Sequence, residues 1–356
     1  MKDSSKTFLK TLLNTASPSS GEAPGQRVWL NYVKSFADLT ETDNYGNAVA
    51  ILNPEAKVKI LVAGHADEIA FQLQYIDDKG FVYFSPVGGQ DPSLARGQRV
   101  TIHSAKGPIF GVIGGLAIHL QDRSKKQEAP AWHEVFVDIG ASSKKEAQKI
   151  VQVGDLMTYA VGCEPLRGEI WAARACDNRI GTFIAAEVMR LCSEKKNKLK
   201  VGLVSASTIQ EENGLYGAAM VGYSVKPTAA IIVDVGHATD IPLVNQKQFG
   251  DIQLGKGPVL SKGSVNHPVL VERLEQVAQK SKIKIQYGID ARFSGTDADA
   301  IFTQRGGIPT VSLAVPNRYM HTPVELVHLN DLEKMAEWIS AFVLGLDGKE
   351  SFKVKI

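Results

Sequence analysis

Residues 58–68, VKILVAGHADE, join a short apolar run directly to a histidine and two acidic residues. The run from Val58 to Gly64 is rich in β-branched residues and is bounded by turn residues, which is typical of a buried strand. We therefore expect a strand that ends at Gly64 and is followed directly by His65 and Asp67. The preceding run NAVAIL, residues 47–52, has the same character and predicts a second strand.

Helical patterns lie on both sides of this stretch. Upstream, Phe8, Leu9, Leu12 and Leu13 fall on one face of a predicted helix. Downstream of residue 163, a predicted helix over 177–192 alternates with the strands KVGLVSAS, AAIIVDV and TVSLAV, and a last helix covers 331–344. Strands that alternate with helices predict an α/β fold, in which a mainly parallel sheet is covered by helices on both faces.

The segment between residues 69 and 163 has a different texture. Short alternating segments separated by glycines follow one another there, such as GFVYFSPVGG, QRVTIHSAKG and GPIFGVIGG. This pattern is typical of a small β-barrel or sandwich. We therefore predict one α/β domain formed by residues 1–68 and 164–356, interrupted by an inserted β domain over residues 69–163.

Composition and charge exclude several classes of function. Lys and Arg number 40 against 38 Asp and Glu, so the formal net charge is +2. Such a balance lacks the excess of positive charge that is usual in proteins that bind nucleic acid or anionic membranes. No apolar run approaches the roughly 18 residues of a membrane span, and the three cysteines fit neither a disulfide framework nor a CxxC metal site. We predict a cytoplasmic protein with no nucleic-acid or membrane partner.

Acidic and imidazole side chains recur where the predicted strands end or the next element begins. In open α/β sheets the ends of the strands form the ligand crevice, so residues far apart in the chain can meet there. The candidates are His65 and Asp67 in GHADE, Asp177 in CDNR, Glu211 and Glu212 in IQEENG, Asp234 in IIVDVGH, and His321 in RYMHTP.

The two imidazoles and three of these five carboxylates would be a ligand set suited to two borderline divalent ions such as zinc or cobalt, with a remaining carboxylate free to act as a base. Each residue also has a plain structural alternative. A lone histidine such as His65 is more often a capped or surface residue than a ligand, and Asp177 could be only the N-cap of its helix. Adjacent like charges such as Glu211 and Glu212 are normally solvated. Asp234 has the weakest structural alternative, because an acid that ends a run of five Ala and β-branched residues must pair, bind metal or become protonated.

The chain resembles the M42 metallo-aminopeptidases, the family of glutamyl and deblocking aminopeptidases and of the tetrahedral self-compartmentalising peptidases. The matching stretches run almost from end to end of the chain. They are GHADEIAF, FSPVGGQDPSLARGQRV, DIGASSKKEA, ARACDNRIG, STIQEENGLYGA, VDVGHATDIP, SGTDADAIF and GGIPTVSLAVPNRYMHTPVE. The sequence departs from the usual family pattern at Cys176 and Asn213, neither of which replaces a ligand or the base.

The resemblance implies a role for each candidate residue. His65, Asp177 and Asp234 would bind one metal ion, and Asp177, Glu212 and His321 would bind the other, so that Asp177 bridges the two. Glu211 would be the general base. Asp67 would assist catalysis indirectly, by accepting the other imidazole proton of His65 or otherwise orienting that ring. The resemblance also places Asp297 and Arg318 near the substrate, although a turn-stabilising role for Asp297 is equally open.

The function implied is hydrolysis of the N-terminal peptide bond of short peptides, with a water that bridges the two metals and Glu211 as its base. The family fold is a zinc-peptidase α/β domain with an inserted β domain that mediates assembly, so a homo-oligomer, often a dodecamer, is expected. Two alternatives remain open at this point. The same dimetal site could act on another amide, such as an acylated amino acid, or the chain could be a non-catalytic assembled scaffold.

Overall fold

The computed structural model of the protein describes residues 1–121 and 128–356. Its strands are β1 (Leu39–Thr42), β2 (Ala48–Leu52), β3 (Lys59–His65), β4 (Ala70–Ile76), β5 (Val82–Val87), β6 (Arg99–Ser104), β7 (Gly107–Gly114), β8 (Phe136–Asp138), β9 (Leu156–Tyr159), β10 (Glu164–Pro165), β11 (Ile170–Ala173), β12 (Gly202–Thr208), β13 (Ala229–His237), β14 (Val259–Lys262), β15 (Gln286–Ile289), β16 (Thr310–Asn317) and β17 (Glu325–His328).

The helices are mostly amphipathic, as their apolar spacing predicts. They are α1 (Asp3–Asn14), α2 (Ala23–Val33), α3 (Lys144–Ala147), α4 (Cys176–Ser193), α5 (Tyr216–Val225), α6 (Gln246–Phe249), α7 (Pro268–Lys280), α8 (Ala298–Ile301) and α9 (Leu329–Leu344). Among the described residues, no helix is both long and apolar enough to cross a membrane.

A mixed sheet forms the centre of the α/β part. Within the described residues it has eight strands in the order β1-β2-β12-β3-β13-β16-β14-β15. The four central strands β12, β3, β13 and β16 are parallel to one another, whereas β2 and β14 join them in antiparallel pairing. The four parallel strands therefore end at the same edge of the sheet.

Helices cover both faces of this sheet, as the buried runs of β-branched residues require. On one face α4 packs with α1, α2, α7 and α9 around a large core that includes Trp29, Phe183 and Trp338. On the other face the smaller helices α5 and α8 cover a second cluster that includes Leu61, Ala206 and Ile232. The prediction of a mainly parallel sheet between helices is confirmed.

The inserted segment folds into a separate barrel. Within the described part of the chain, β4, β5, β8, β7, β6 and β9 pair in that order and close into a six-stranded antiparallel barrel. Its own core contains Phe71, Val100 and Met157. The barrel strands begin at Ala70, five residues after His65, so the chain leaves the sheet directly after the first candidate ligand.

A buried ion network stabilises the junction between β3, α1 and α4. Glu68 accepts charged hydrogen bonds from both Arg174 and Arg179, and all three side chains are buried. Burial opposes the ionisation of Glu68, but the two guanidinium groups outweigh it and lower its pKa to about 2. Removing the carboxylate would leave two buried cations without their partner, which is more costly than losing an exposed pair.

We therefore expect Glu68→Ala to lower the free energy of unfolding by about 3–5 kcal/mol at pH 7. The control is Asp38→Ala, which breaks the more exposed pair with Lys196 and should cost less than about 1 kcal/mol. Because the pKa of Glu68 is lowered by folding, its stabilisation is complete above pH 4.5 and is lost as the pH falls towards 2. Urea unfolding of both variants against pH measures this, and equal losses in the two would contradict it.

Candidate active site

The candidate residues of the parallel strands meet at one edge of the sheet. His65 is the last residue of β3 rather than the first residue after it, while Glu211 and Glu212 lie in the loop that follows β12. His321 lies in the loop after β16. Because β12, β3, β13 and β16 are adjacent and parallel, the fold brings these loops together at the carboxyl edge, where ligand crevices form.

Asp234 lies inside its strand rather than at the end. The strand β13 continues to His237, because its pairing with β16 extends from Ala230 to His237. The predicted end at residue 235 was therefore too early. Asp234 nevertheless stays next to the edge, and its side chain is buried with only 4% of the residue exposed.

Asp177 reaches the same place from the start of α4. Its backbone and that of Asn178 are not helical, and the peptide bond between them is cis. The Asn178 side chain donates to the carbonyl of Val233 at 2.8 Å, which ties the start of α4 to β13. A side chain at Gly64 would lie 2.5 Å from the backbone of Gly181, so this glycine lets α4 press directly against β3.

The carboxylate of Asp177 lies between the two histidines. Its Oδ1 is 3.2 Å from Nε2 of His65, and its Oδ2 is 3.3 Å from Nε2 of His321. The other carboxylates surround these imidazoles: Oε2 of Glu211 and Oδ1 of Asp234 lie 3.7 and 3.8 Å from Nε2 of His65. Oε1 of Glu212 lies 3.6 Å from Nε2 of His321.

Both histidines present the same nitrogen to the carboxylates. Nδ1 of His65 lies 3.2 Å from the backbone carbonyl of Asp67 and 3.3 Å from Oδ1 of the same residue. Nδ1 of His321 lies 2.8 Å from the backbone carbonyl of Gly89. The two backbone carbonyls can only accept. The carboxyl of Asp67 is ionised and also accepts, because its contact with His65 outweighs burial and lowers its pKa. Each Nδ1 therefore donates, and in the neutral ring, which is the form that binds a metal ion, each Nε2 keeps its lone pair for that ion.

Asp67 also holds the backbone of the loop that carries the two glutamates. Its carboxylate accepts from the backbone N–H of Glu211 at 3.0 Å and of Glu212 at 3.1 Å. The hydroxyl of Ser19 donates to it at 2.6 Å. One buried carboxylate thus contacts His65 and the backbone of both Glu211 and Glu212 at the same time.

Two further buried acids, which were not among the residues predicted from the sequence, belong to the site. Glu325 accepts from the backbone N–H of Asp177 at 2.8 Å and of His321 at 3.1 Å. Glu22 accepts from the backbone N–H of Gln210 at 3.2 Å, beside the loop of the two glutamates. The only sequence signal for Glu325 was its place at the end of the stretch that contains His321.

The site contains more buried carboxyl groups than imidazoles to pair with them. The pKa values of several of these acids are therefore raised. Burial together with the charges of Asp234 and Asp297 raises the pKa of Glu211 to about 10, and burial together with Asp177 raises that of Glu212 to about 8. Burial also raises the pKa of Asp234 well above its usual value. Carboxylates around His65 and His321 raise the pKa values of both imidazoles, that of His321 to about 9, and hydrogen bonds from these protonated rings outweigh burial and lower the pKa of Asp177.

This donor set fits divalent metal ions. Ligand atoms of His65, Asp177 and Glu212 lie within 4.8 Å of one another, as do those of His65, Glu211 and Asp234. Within the described residues, Oε1 of Glu212 is buried and has no hydrogen-bond partner, which is costly unless a cation binds there. Imidazole nitrogens and carboxylate oxygens are ligands that zinc and similar ions accept.

A cavity of about 1030 Å³ opens beside these residues. Small side chains of β13, β16 and β14 line it, among them Val235, Ala314 and Ser261. The described residues that line it do not include Asp297 or Arg318. Asp297 is buried and accepts from the hydroxyl of Thr208 at 2.5 Å.

Arg318 lies to one side of the site in a defined ion pair. Its Nε and Nη2 donate to the two carboxylate oxygens of Asp240 at 2.8 and 2.6 Å. This bidentate pair fixes the guanidinium group. The prediction that Arg318 contacts substrate stays a prediction.

Comparison with known proteins identifies the group to which this chain is similar. The family model "M42 glutamyl aminopeptidase" matches residues 46–338. The lysyl aminopeptidase of Pyrococcus furiosus is 30% identical over 339 residues, which cover 94% of this chain and 96% of that protein.

Solved structures agree with this match. The TET aminopeptidase of the marine sediment archaeon Thaumarchaeota archaeon SCGC AB-539-E09 superposes with a TM-score of 0.92 at 29% identity, covering 97% of each chain. PhTET1-12s, a dodecamer in its asymmetric unit, superposes with a TM-score of 0.86 at 32% identity, covering 97% of this chain and all of that one. The chain therefore belongs to the M42 glutamyl aminopeptidase family and is an aminopeptidase, a hydrolase of peptide bonds.

Proposed function

We propose that this aminopeptidase holds two divalent metal ions, zinc or cobalt, with Asp177 as the bridging ligand. The observation that carries the proposal is the position of Asp177, whose two oxygens face the Nε2 atoms of His65 and His321 separately. His65 and Asp234 complete the ligands of one ion, and Glu212 and His321 those of the other. Two such ions, when bound, supply an electrophile for a carbonyl and a water of lowered pKa.

Glu211 is the proposed general base. Its Oε2 lies 3.7 Å from Nε2 of His65 and its backbone N–H donates to Asp67, so its carboxylate is held beside the proposed ligands. In this role Glu211 accepts a proton from the attacking water and returns it to the leaving amine. Asp67 acts through the other groups: it holds the tautomer of His65 and the loop of Glu211.

The proposed reaction removes one residue at a time from the amino terminus of short peptides. A substrate with a free α-amine carries a positive charge, which the excess of buried carboxylates in the site attracts. We propose that Asp297 braces the site through Thr208, a residue of β12 that pairs with His65. Contact of Arg318 with the substrate chain is proposed from the resemblance alone.

A panel of aminoacyl-chromophore substrates tests this function. The protein is first stripped with a chelator and then restored with zinc, cobalt or manganese, and bound metal is counted for each state. We expect two ions per chain and hydrolysis of one or more aminoacyl substrates. If two ions are bound and only N-acylated amino acids are hydrolysed, the result would instead favour the alternative in which this site acts on acylated amino acids. Silence towards both classes with two ions bound would favour a scaffold.

We further propose that the inserted domain, residues 69–163, mediates assembly into a homo-oligomer, with a dodecamer as the expected form. Apolar side chains of one barrel strand and the segment after it are exposed together. They are Phe110, Val112, Leu116, Ile118 and Leu120. Several large exposed apolar groups in one region are typical of a protein interface. The dodecamer of the relative PhTET1-12s supports assembly of this kind.

We expect Phe110→Asp to reduce the assembly to a smaller species, because it places a charge in this patch, where Phe110 is 73% exposed. The control is Tyr45→Asp, which changes a similarly exposed aromatic residue outside the barrel. Light scattering coupled to size-exclusion chromatography gives the mass of each species. An unchanged mass for Phe110→Asp would exclude the patch as an interface.

A further inference from the structure

The barrel contributes backbone groups to the metal-ligand cluster. The turn that follows β5 contains Gly88 and Gly89, and it reaches from the barrel to the carboxyl edge of the large sheet. The carbonyl of Gly89 accepts from Nδ1 of His321 at 2.8 Å across 232 positions of sequence. It is therefore a barrel residue that determines which nitrogen of His321 faces Asp177 and Glu212.

Close packing explains why two glycines stand in this turn. A Cβ atom on Gly89 would lie 3.2 Å from Nδ1 of His321. A Cβ atom on Gly88 would lie 3.2 Å from Oε2 of Glu212 and 2.8 Å from Cγ2 of Ile69, and the φ angle of Gly88 is +77°. The two glycines thus touch His321 and Glu212, which are the two ligands proposed for the same ion besides Asp177.

The turn is also anchored where the chain enters the barrel. The side-chain amide of Gln90 donates to the carbonyl of Ala70, the first residue of β4. This anchor is five residues from His65, so the turn is fixed relative to the sheet edge as well as to the barrel.

We propose that the Gly88–Gly89 turn is a positioning element for His321. Resting on the proposed function, this assigns to the inserted domain a part in the catalytic site in addition to assembly. The carbonyl of Gly89 holds the Nδ1–H tautomer and fixes the direction of the ring, which leaves Nε2 aimed at the ion shared with Glu212. Groups of this kind that orient a ligand typically change metal affinity by about 10–100-fold when they are disturbed.

Two variants disturb the turn in opposite ways. Gly89→Ala adds a methyl group against His321 at a residue whose φ angle is not positive. Gln90→Ala removes the anchor to Ala70 without adding an atom near the site. The control is Gly97→Ala, a barrel glycine with φ +84° where a Cβ would meet nothing within 4 Å, so it strains the barrel without approaching the site.

Calorimetric titration of the metal-free protein with Co²⁺ is the readout, combined with the visible spectrum of the bound cobalt and with thermal unfolding. We expect Gly89→Ala to weaken one of the two sites by about 10–100-fold and to change its spectrum. Gln90→Ala should weaken the same site less, and Gly97→Ala should match the wild type in both sites.

Equal weakening of both sites in Gly89→Ala, or no change in either site, would overturn the proposal. So would a loss in Gly97→Ala as large as that in Gly89→Ala, since general strain of the barrel would then explain both. Failure of the proposed function is a separate outcome. In that case the wild type would bind two ions and cleave no aminoacyl substrate, while the selective effect of Gly89→Ala on one site would persist.

Discussion

Replacing Asp177 with alanine is expected to abolish the tight binding of both metal ions and to lower kcat/KM by about 10³-fold or more. The physical reason is the shared position of this carboxylate, which faces His65 through one oxygen and His321 through the other. An electrophile worth several kcal/mol corresponds to at least this factor, because each 1.36 kcal/mol is tenfold in rate. Metal content per chain after gel filtration, together with steady-state kinetics, gives both quantities.

The matched control is Asp234→Ala, which removes a buried carboxylate of the same type from one proposed ion only. We expect that variant to keep one tightly bound ion, whereas Asp177→Ala keeps none. Thermal unfolding of both metal-free proteins shows whether either change disturbs the fold itself. If Asp177→Ala still bound two ions, Asp177 would not be the bridge.

Glu211→Gln is expected to lower kcat by about 10²–10⁴-fold while the two ions remain bound. Glutamine keeps the size of the side chain and the backbone contact with Asp67, but it cannot accept a proton. The measurement is kcat at fixed metal content, with Glu41→Gln on the exposed strand β1 as the control. The control should keep the activity of the wild type.

The geometry around Glu211 makes metal content an essential part of this test. Its Oε2 lies 3.7 Å from Nε2 of His65, and it belongs to one of the groups whose atoms could hold an ion with Asp234. Loss of an ion in Glu211→Gln would make Glu211 a ligand rather than a base. Full activity of Glu211→Gln with both ions bound would show that Glu211 is not the general base.

Much of the fold followed from local patterns. The runs at 58–64 and 229–235 are apolar and β-branched because their strands are buried on both faces, and this signal survives in the sequence. The short alternating segments separated by glycines after residue 69 predicted a small β-barrel or sandwich, because strands with one buried and one exposed face alternate in polarity. The exact end of β13 did not follow, because the pairing with β16 that extends it to His237 is a contact between distant segments.

The residues of the site also divide into those that the sequence predicted and those that only the structure revealed. The chemistry of His65, Asp177, Asp234 and His321 could be proposed from residue type and strand position. Glu325 could not, since its function depends on backbone N–H groups of Asp177 and His321 that only the folded chain brings to it. The stretch of resemblance that contains Gly88 and Gly89 likewise gave no sign of contact with Glu212 or His321.

The sequence by itself determined the α/β class with its inserted barrel, the M42 family and the set of candidate ligands. The fold class depends on the periodicity of apolar residues and the candidate ligands depend on side-chain type, whereas the family follows from the resemblance of whole stretches of sequence; all three are local properties of the chain. Only the tertiary structure decided that one carboxylate, Asp177, lies between two histidines, and that a barrel carbonyl orients His321. Such relations depend on distances between segments far apart in the chain, which are set by packing of the whole molecule.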